Sequence, residues 1–170
     1  MHKNYLKISK ELKKKILQMA FEGGSSSAHI GGALSITDVM AVLIGNEQFT
    51  KKKDQLILSK GHACLVYYAV LMQTGKISEE LISTFEKDGS PLMGHPIKNL
   101  KLNISFSTGS LGMGLSLGVG NSIANKKLKN NNMTFVILGD GECNEGSVWE
   151  AAMSASHYNL DNLVAIIDNN

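Results

Sequence analysis

The stretch Thr134–Asn170, "TFVILGDGECNEGSVWEAAMSASHYNLDNLVAIIDNN", decides the fold. It opens on an apolar run, Thr134–Leu138, and closes on another, Leu163–Ile167. Both have strand length and are bounded by turn-forming residues, so both read as buried strands. Between them "EGSVWEAAMSASHY" places Val148, Ala151, Ala152 and Ala155 on one side of a helix. Strand, helix, strand is a βαβ unit, and such a crossover lays its strands parallel in one sheet. As neighbours, the strands would lie about 4.8 Å apart. Their carboxyl ends would open on the same sheet edge, where α/β proteins bind ligands.

The residues at those two ends carry chemistry. The first strand runs into Gly139-Asp140-Gly141 and the second into Asp168-Asn169-Asn170. Taken alone, Gly-Asp-Gly reads as a turn. Across a βαβ unit, an Asp carboxylate and an Asn carbonyl oxygen become a pair of hard oxygen donors. Mg²⁺ takes such donors at about 2.1 Å and completes its octahedron with phosphate oxygens and water. Glycines beside Asp140 let the backbone approach a diphosphate closely.

Upstream, Tyr5 to about Glu22 has apolar positions at helical spacing. "GGSSSAHIGGALS" reads as loop, and Ser35 with Asp38 resembles a capping box opening a helix through Ile44. Gln55–Leu58 is a strand candidate, followed by "SKGH" and a helix over about Ala63–Gln73. Ser78–Lys87 reads as an amphipathic helix and "GSPLMGHP" as loop. "STGSLGMGLSLGVGNSIANKKL" reads as a helix in which Gly112, Gly114, Gly118 and Gly120 need a cause, because glycine is a poor helix former. Close backbone packing and a ligand pressed on the helix start are the two candidates. Strands alternating with helices indicate an α/β fold with a parallel sheet and flanking helices, and residues 1–170 read as one domain.

Bulk properties exclude several classes. A net charge of +2 gives no pull toward nucleic acid, and no apolar run is long enough to cross a bilayer. The Lys-rich start has no apolar segment after it and does not read as a signal peptide, so the expectation is a cytoplasmic protein. All 17 basic residues are Lys. Arg is the usual two-pronged phosphate clamp. A phosphorylated substrate would therefore be gripped here by Lys or His, or by another chain. Cys64 and Cys143 have neither metal spacing nor a disulfide pattern, and the Lys51–Lys53 run reads as a solvated loop.

The motifs, taken together, resemble the thiamine-diphosphate-dependent transketolase family. "SSAHIGGALS", "LSKGHA", "GHP", "STGSLGMGLS" and the Gly-Asp-Gly to Asn pairing occur in that family's order, from about Lys10 to Asn170. The resemblance is closest to the N-terminal subunit of split bacterial transketolases. It implies a thiamine diphosphate-binding fold with Asp140 and Asn170 on a divalent metal, Mg²⁺ or its Ca²⁺ or Mn²⁺ substitutes. It implies that His62 contacts the diphosphate and faces the substrate, while His29 and His95 line the channel for the sugar hydroxyls. Gly109 and Leu111 would meet the aminopyrimidine side, and Gly139 and Gly141 would border the cofactor. Glu145 would lie at a subunit interface linking two active sites. The bland reading, surface or capping, is kept for His2 and His157.

The sequence departs from the family at two places. The usual Gly-His-Pro-Gly-Gly is here Ala28-His29-Ile30-Gly31-Gly32. Without that Gly and Pro the backbone beside His29 has different freedom. The choice between a central pentose phosphate enzyme and another carbohydrate-modifying transketolase stays open. Second, the family's diphosphate-binding domain continues past the paired Asn, where it supplies a further metal ligand, so the fold reads as incomplete at its C-terminus. The pyrimidine-binding domain would then come from a C-terminal transketolase subunit. Sugar phosphates and that second chain are the expected partners, in a homo- or hetero-oligomer. The chain alone is expected to bind cofactor weakly and not to catalyse. Two other readings are a truncated or inactive cofactor-binding module and a 1-deoxyxylulose-5-phosphate synthase-like enzyme. "STGSLG" and "GHP" speak against the latter. A third reading, a generic nucleotide-binding α/β domain, is weak, because the sequence has no phosphate-binding Gly-rich Lys motif.

Overall fold

Strand β1 (Gln55–Leu58), strand β2 (Thr134–Gly139) and strand β3 (Leu163–Asp168) form one parallel sheet in the order β1-β2-β3 in a computed structural model of the chain. The structure describes residues 5–24, 29–46 and 54–170. All three strands fall where the apolar runs place them. β2 and β3 pair from Thr134↔Leu163 to Gly139↔Asp168, one residue beyond the expected ends. The chain falls into two compact units: Met1–Lys51 with His62–Ser107, and Lys52–Gly61 with Thr108–Asn170.

The second unit holds the sheet. Helix α5 (Met113–Lys127) packs against all three strands and against helix α6 (Gly146–His157). Val136 and Ile137 of the central strand are fully buried. The glycines of α5 then have a cause. A side chain on Gly114 would come within 2.7 Å of the Ser59 Cα, and one on Gly118 within 2.5 Å of the Val136 Cγ2. Close backbone approach of helix to sheet therefore explains both. Gly120 meets nothing within 4 Å and is not explained by packing. β3 is less covered than a buried strand. Ala165 and Ile167 are exposed, with Ile167 52% exposed, although Leu163 on the same face lies close to Gly118 of α5.

The first unit is helical. Helix α4 (Cys64–Gln73) is apolar on all sides, and Cys64–Met72 are all buried. Helix α1 (Tyr5–Gly23), helix α2 (Ile30–Ser35) and helix α3 (Thr37–Gly45) pack against it, as an all-round apolar helix requires. Two expectations change here. Ser35 ends α2 rather than capping α3; Ile36 occupies the N-cap without a side-chain bond. Asp38 is engaged elsewhere, by the Ser9 hydroxyl and by Lys13 at 3.0 Å, both on α1. Residues 78–87 form only a short 3-10 turn, Glu79–Thr84, capped by the Ser78 hydroxyl. Glu86 ends it with φ +52° and an amide bond to the Leu92 carbonyl at 2.9 Å. Part of the expected "GGSSSAHIGGALS" loop and all of Lys51–Lys53 lie outside the described residues, as does His2. Within that stretch Ile30–Ser35 is helix, not loop.

Candidate functional site

The parallel sheet brings the Asp140 and Asn170 ends of the two strands together. Gly139 is in register with Asp168, and the Asp140 amide donates to the Asp168 carbonyl at 3.2 Å. Pairing thus continues to the residue that carries the carboxylate. Asp140, Gly141 and Asn170 are exposed or half-buried, as is Gly139. Asp140 has helical backbone angles and starts the 3-10 turn Gly141–Asn144, which turns the chain out of the strand.

The "STGSLG" loop reaches the same edge of the second unit. A Cβ on Gly61 would lie 2.6 Å from the Gly109 amide nitrogen, so these two backbones touch. Gly112 sits at φ +85°, a left-handed conformation that favours glycine, and immediately precedes α5. A side chain there would meet the Glu145 Cβ at 2.7 Å and the Ser147 Oγ at 2.5 Å. The Ser147 hydroxyl donates to the Gly112 carbonyl at 3.0 Å. Glu145, exposed at the N-cap of α6, is thereby placed against the loop that carries Leu111, itself 40% exposed.

Three residues to which sequence reasoning gave no role, Ser59, Lys60 and Glu142, hold this edge together. Glu142 is 2% exposed and accepts hydrogen bonds from the Ser59 hydroxyl, the Gly112 amide at 2.8 Å and the Gly139 amide at 3.1 Å. A buried carboxylate is costly unless its oxygens are bonded, and here donors from three segments bond them. Lys60, 3% exposed and just past the end of β1, forms an ion pair with Asp168, the last residue of β3. The motifs contain these residues, but periodicity carries no signal of where such side chains point.

In the first unit the structure brings His29 and His62 together. Their rings stand edge to face with centroids 5.5 Å apart. His29 is exposed at the N-cap of α2, and His62 is half-buried in the 3-10 turn before α4. His95 is exposed on a separate loop. That loop is anchored beside it: the Tyr68 hydroxyl donates to the Met93 carbonyl at 2.7 Å, and burial pushes this phenol far above its ordinary range, so it remains a donor. His157 lies at the end of α6 against the Tyr158 ring, 5.0 Å between centroids, as its bland reading implies.

The donor set at the strand ends suits a hard cation. One carboxylate and one amide oxygen leave most of an octahedron for phosphate oxygens and water. Among the described residues there is no group of three or more His, Cys, Asp or Glu that could hold a metal ion. Among the described residues no helix is long and apolar enough to cross a membrane.

Comparison with known proteins agrees with this geometry. The family model described as "Transketolase, thiamine diphosphate binding domain" matches residues 11–170. The chain is 40% identical over 169 residues to a subunit of the apulose-4-phosphate transketolase of Phocaeicola vulgatus, covering 95% of this chain and 59% of that protein. It is 39% identical over 154 residues to human transketolase, covering 86% of this chain and 25% of the other. The crystal structure of transketolase from Campylobacter jejuni superposes with a TM-score of 0.87 at 27% identity, over 100% of this chain and 29% of that one. The chain therefore spans little more than half the length of the first of these relatives and about a quarter of a single-chain transketolase. With nearly its whole length matched and the motif-bearing strand ends assembled on one sheet edge, the chain belongs to the transketolase family, within that family's thiamine diphosphate binding domain.

Proposed function

We propose that this chain is the diphosphate-binding component of a transketolase. Joined to a partner chain with a pyrimidine-binding domain, it would transfer a two-carbon ketol unit from a ketose phosphate to an aldose phosphate. The observation that carries this reading is the β2–β3 register, which ends both strands beside Asp140 and Asn170 at one edge. In it, residues 1–170 are a single, partial domain of a cytoplasmic homo- or hetero-oligomer. Relatives named as transketolase subunits support the need for a partner.

Asp140 and Asn170 would hold the divalent cation, Mg²⁺ with Ca²⁺ or Mn²⁺ as substitutes, and the cation would hold the diphosphate. Gly139 and Gly141 leave room for the phosphates, while Gly109 and Leu111 form the aminopyrimidine side. Thiamine diphosphate supplies the carbanion chemistry when bound. The chain's own residues position it and move protons. His62 would bond the diphosphate and, with His29 and His95, exchange protons with sugar hydroxyls, a task that suits imidazole near neutral pH. The edge-to-face contact of His29 and His62 supports a shared role for that pair. Glu145, exposed beside the Gly112 loop, would meet the second active site across a subunit interface.

Calorimetry tests the reading. Thiamine diphosphate with Mg²⁺ should give weak, saturable heat with the wild-type chain and none with Asp140→Ala. Absence of heat in both proteins would refute it. Turnover of a ketose and aldose phosphate pair should need the partner, and appreciable turnover by the isolated chain would refute that part.

A further inference from the structure

We infer that Glu142 is a positioning residue that sets the spacing between the two halves of the candidate cofactor site. The inference rests on reading these strand ends as a thiamine diphosphate site. The Gly109–Gly112 loop and the Asp140 turn come from separate parts of the chain. A ligand touching both needs their separation fixed before it arrives, because ordering it on binding subtracts from affinity. One carboxylate does this. Its Oε1 accepts from the Gly112 amide at 2.8 Å and from the Ser59 hydroxyl, and its Oε2 accepts from the Gly139 amide at 3.1 Å. Ser59 extends the brace by accepting from the Gly114 amide at 3.1 Å. The end of β1, the start of α5 and the end of β2 are thus tied through one side chain. Gly139 immediately precedes the proposed cation ligand, and Gly112 immediately follows Leu111.

The chemistry admits few substitutes. Both oxygens must accept, because each faces a backbone N–H that cannot reverse its role. Glutamine keeps the length but turns one end into a donor, which then faces an amide donor. Aspartate keeps both acceptors but is one methylene short of spanning them. Glu142 acts on the proposed cation position only at one remove, through Gly112 and Gly139.

Trp149 provides a built-in probe. It is the only tryptophan, and its indole N–H donates to the Cys143 carbonyl at 2.8 Å, within the turn that follows Asp140. Trp149 fluorescence of the chain would be titrated with thiamine diphosphate into the millimolar range at fixed Mg²⁺, at a temperature well below unfolding. In Glu142→Gln the apparent Kd should rise about tenfold, the loss expected from unmaking one buried hydrogen bond to a charged group. In Ser59→Ala, which leaves both backbone bonds in place, it should rise by a smaller factor, about threefold. A purely structural role would lower the unfolding midpoint and leave the Kd of the folded protein unchanged. A Kd within about twofold of wild type for folded Glu142→Gln would overturn the inference while leaving the cofactor reading intact. If Glu142→Gln does not fold, an unchanged Kd for Ser59→Ala overturns it instead. No saturable signal in the wild-type chain would overturn the cofactor reading and this inference with it.

Discussion

Replacing two glycines of one helix with alanine should have opposite effects. Glycine in a helix interior costs about 1 kcal/mol relative to alanine. At Gly120 an added Cβ meets nothing within 4 Å, so Gly120→Ala should realise that gain almost fully. At Gly114 the same atom would stand 2.2 Å from the Ser59 Oγ and 2.7 Å from the Ser59 Cα. The latter is backbone held at the end of β1, so it cannot move aside as a flexible side chain would. Overpacking of this kind costs about 1–3 kcal/mol. Pushing Ser59 away also endangers the Gly114 amide bond to its hydroxyl, worth about 1 kcal/mol. Against these the propensity gain is smaller, and Gly114→Ala should be destabilising by roughly 2 kcal/mol net. For a chain of 170 residues each kcal/mol moves the midpoint by about 2–4 °C. Gly120→Ala should then melt about 2–4 °C above wild type and Gly114→Ala about 4–8 °C below it. Circular dichroism follows the transition, and Trp149 fluorescence reports on the second unit in particular. A midpoint for Gly114→Ala at or above wild type would refute the close-packing argument. A lowered midpoint for Gly120→Ala would show that this glycine has a role the packing does not contain.

Other consequences follow from buried charge and burial of thiols. Lys60→Ala removes the counter-ion of Asp168 from a pair that is 4% and 10% exposed, and should destabilise the chain by about 3 kcal/mol in urea titration; a change under about 0.5 kcal/mol would show that the pair contributes nothing. Burial pushes the Cys64 thiol up to about 12, so a thiol reagent at pH 8 should leave Cys64 unmodified in the native chain and reach it only after unfolding, with mass spectrometry locating the label. Rapid native labelling of Cys64 would contradict its placement in α4. The Ser9 hydroxyl, and after it Lys13, hold the Asp38 carboxyl below the usual range. A depressed carboxyl stabilises the fold above its unfolded value and loses that contribution as pH falls through the folded value. Asp38→Asn should therefore shrink the stability difference between pH 7 and pH 3, and an undiminished difference would exclude this pair as a source of acid sensitivity.

Much of the architecture was legible without coordinates. The apolar runs at 55–58, 134–138 and 163–167 are strands, as their short length and flanking turn-forming residues implied. The alternation with helices implied a parallel sheet, and the strands do pair in parallel. Motif order alone sufficed to suggest the family. The errors lie where a local rule lost to a distant partner. Ser35 and Asp38 have capping-box spacing, yet Asp38 is taken by Ser9 and Lys13 on α1. The pattern over Ser78–Lys87 suits a longer helix, but Glu86 turns left-handed to bond the Leu92 carbonyl. Leu163–Ile167 is apolar throughout, yet whether Ile167 is buried depends on what packs against β3.

By itself, then, the sequence determined the strands, the parallel α/β class, the chemistry offered at two strand ends and the family. The first three depend on residue type and on spacing along the chain, whereas the family rested on the resemblance of motifs occurring in order. Only the tertiary structure decided why Gly114 and Gly118 are glycine, which histidines meet, and what Glu142 does. Those properties are distances between segments far apart in sequence. Glu142 looks like an ordinary acidic residue in a turn until Ser59, Gly112 and Gly139 converge on it. The convergence follows from folding β1, α5 and β2 onto one edge, and no local pattern in the chain encodes it.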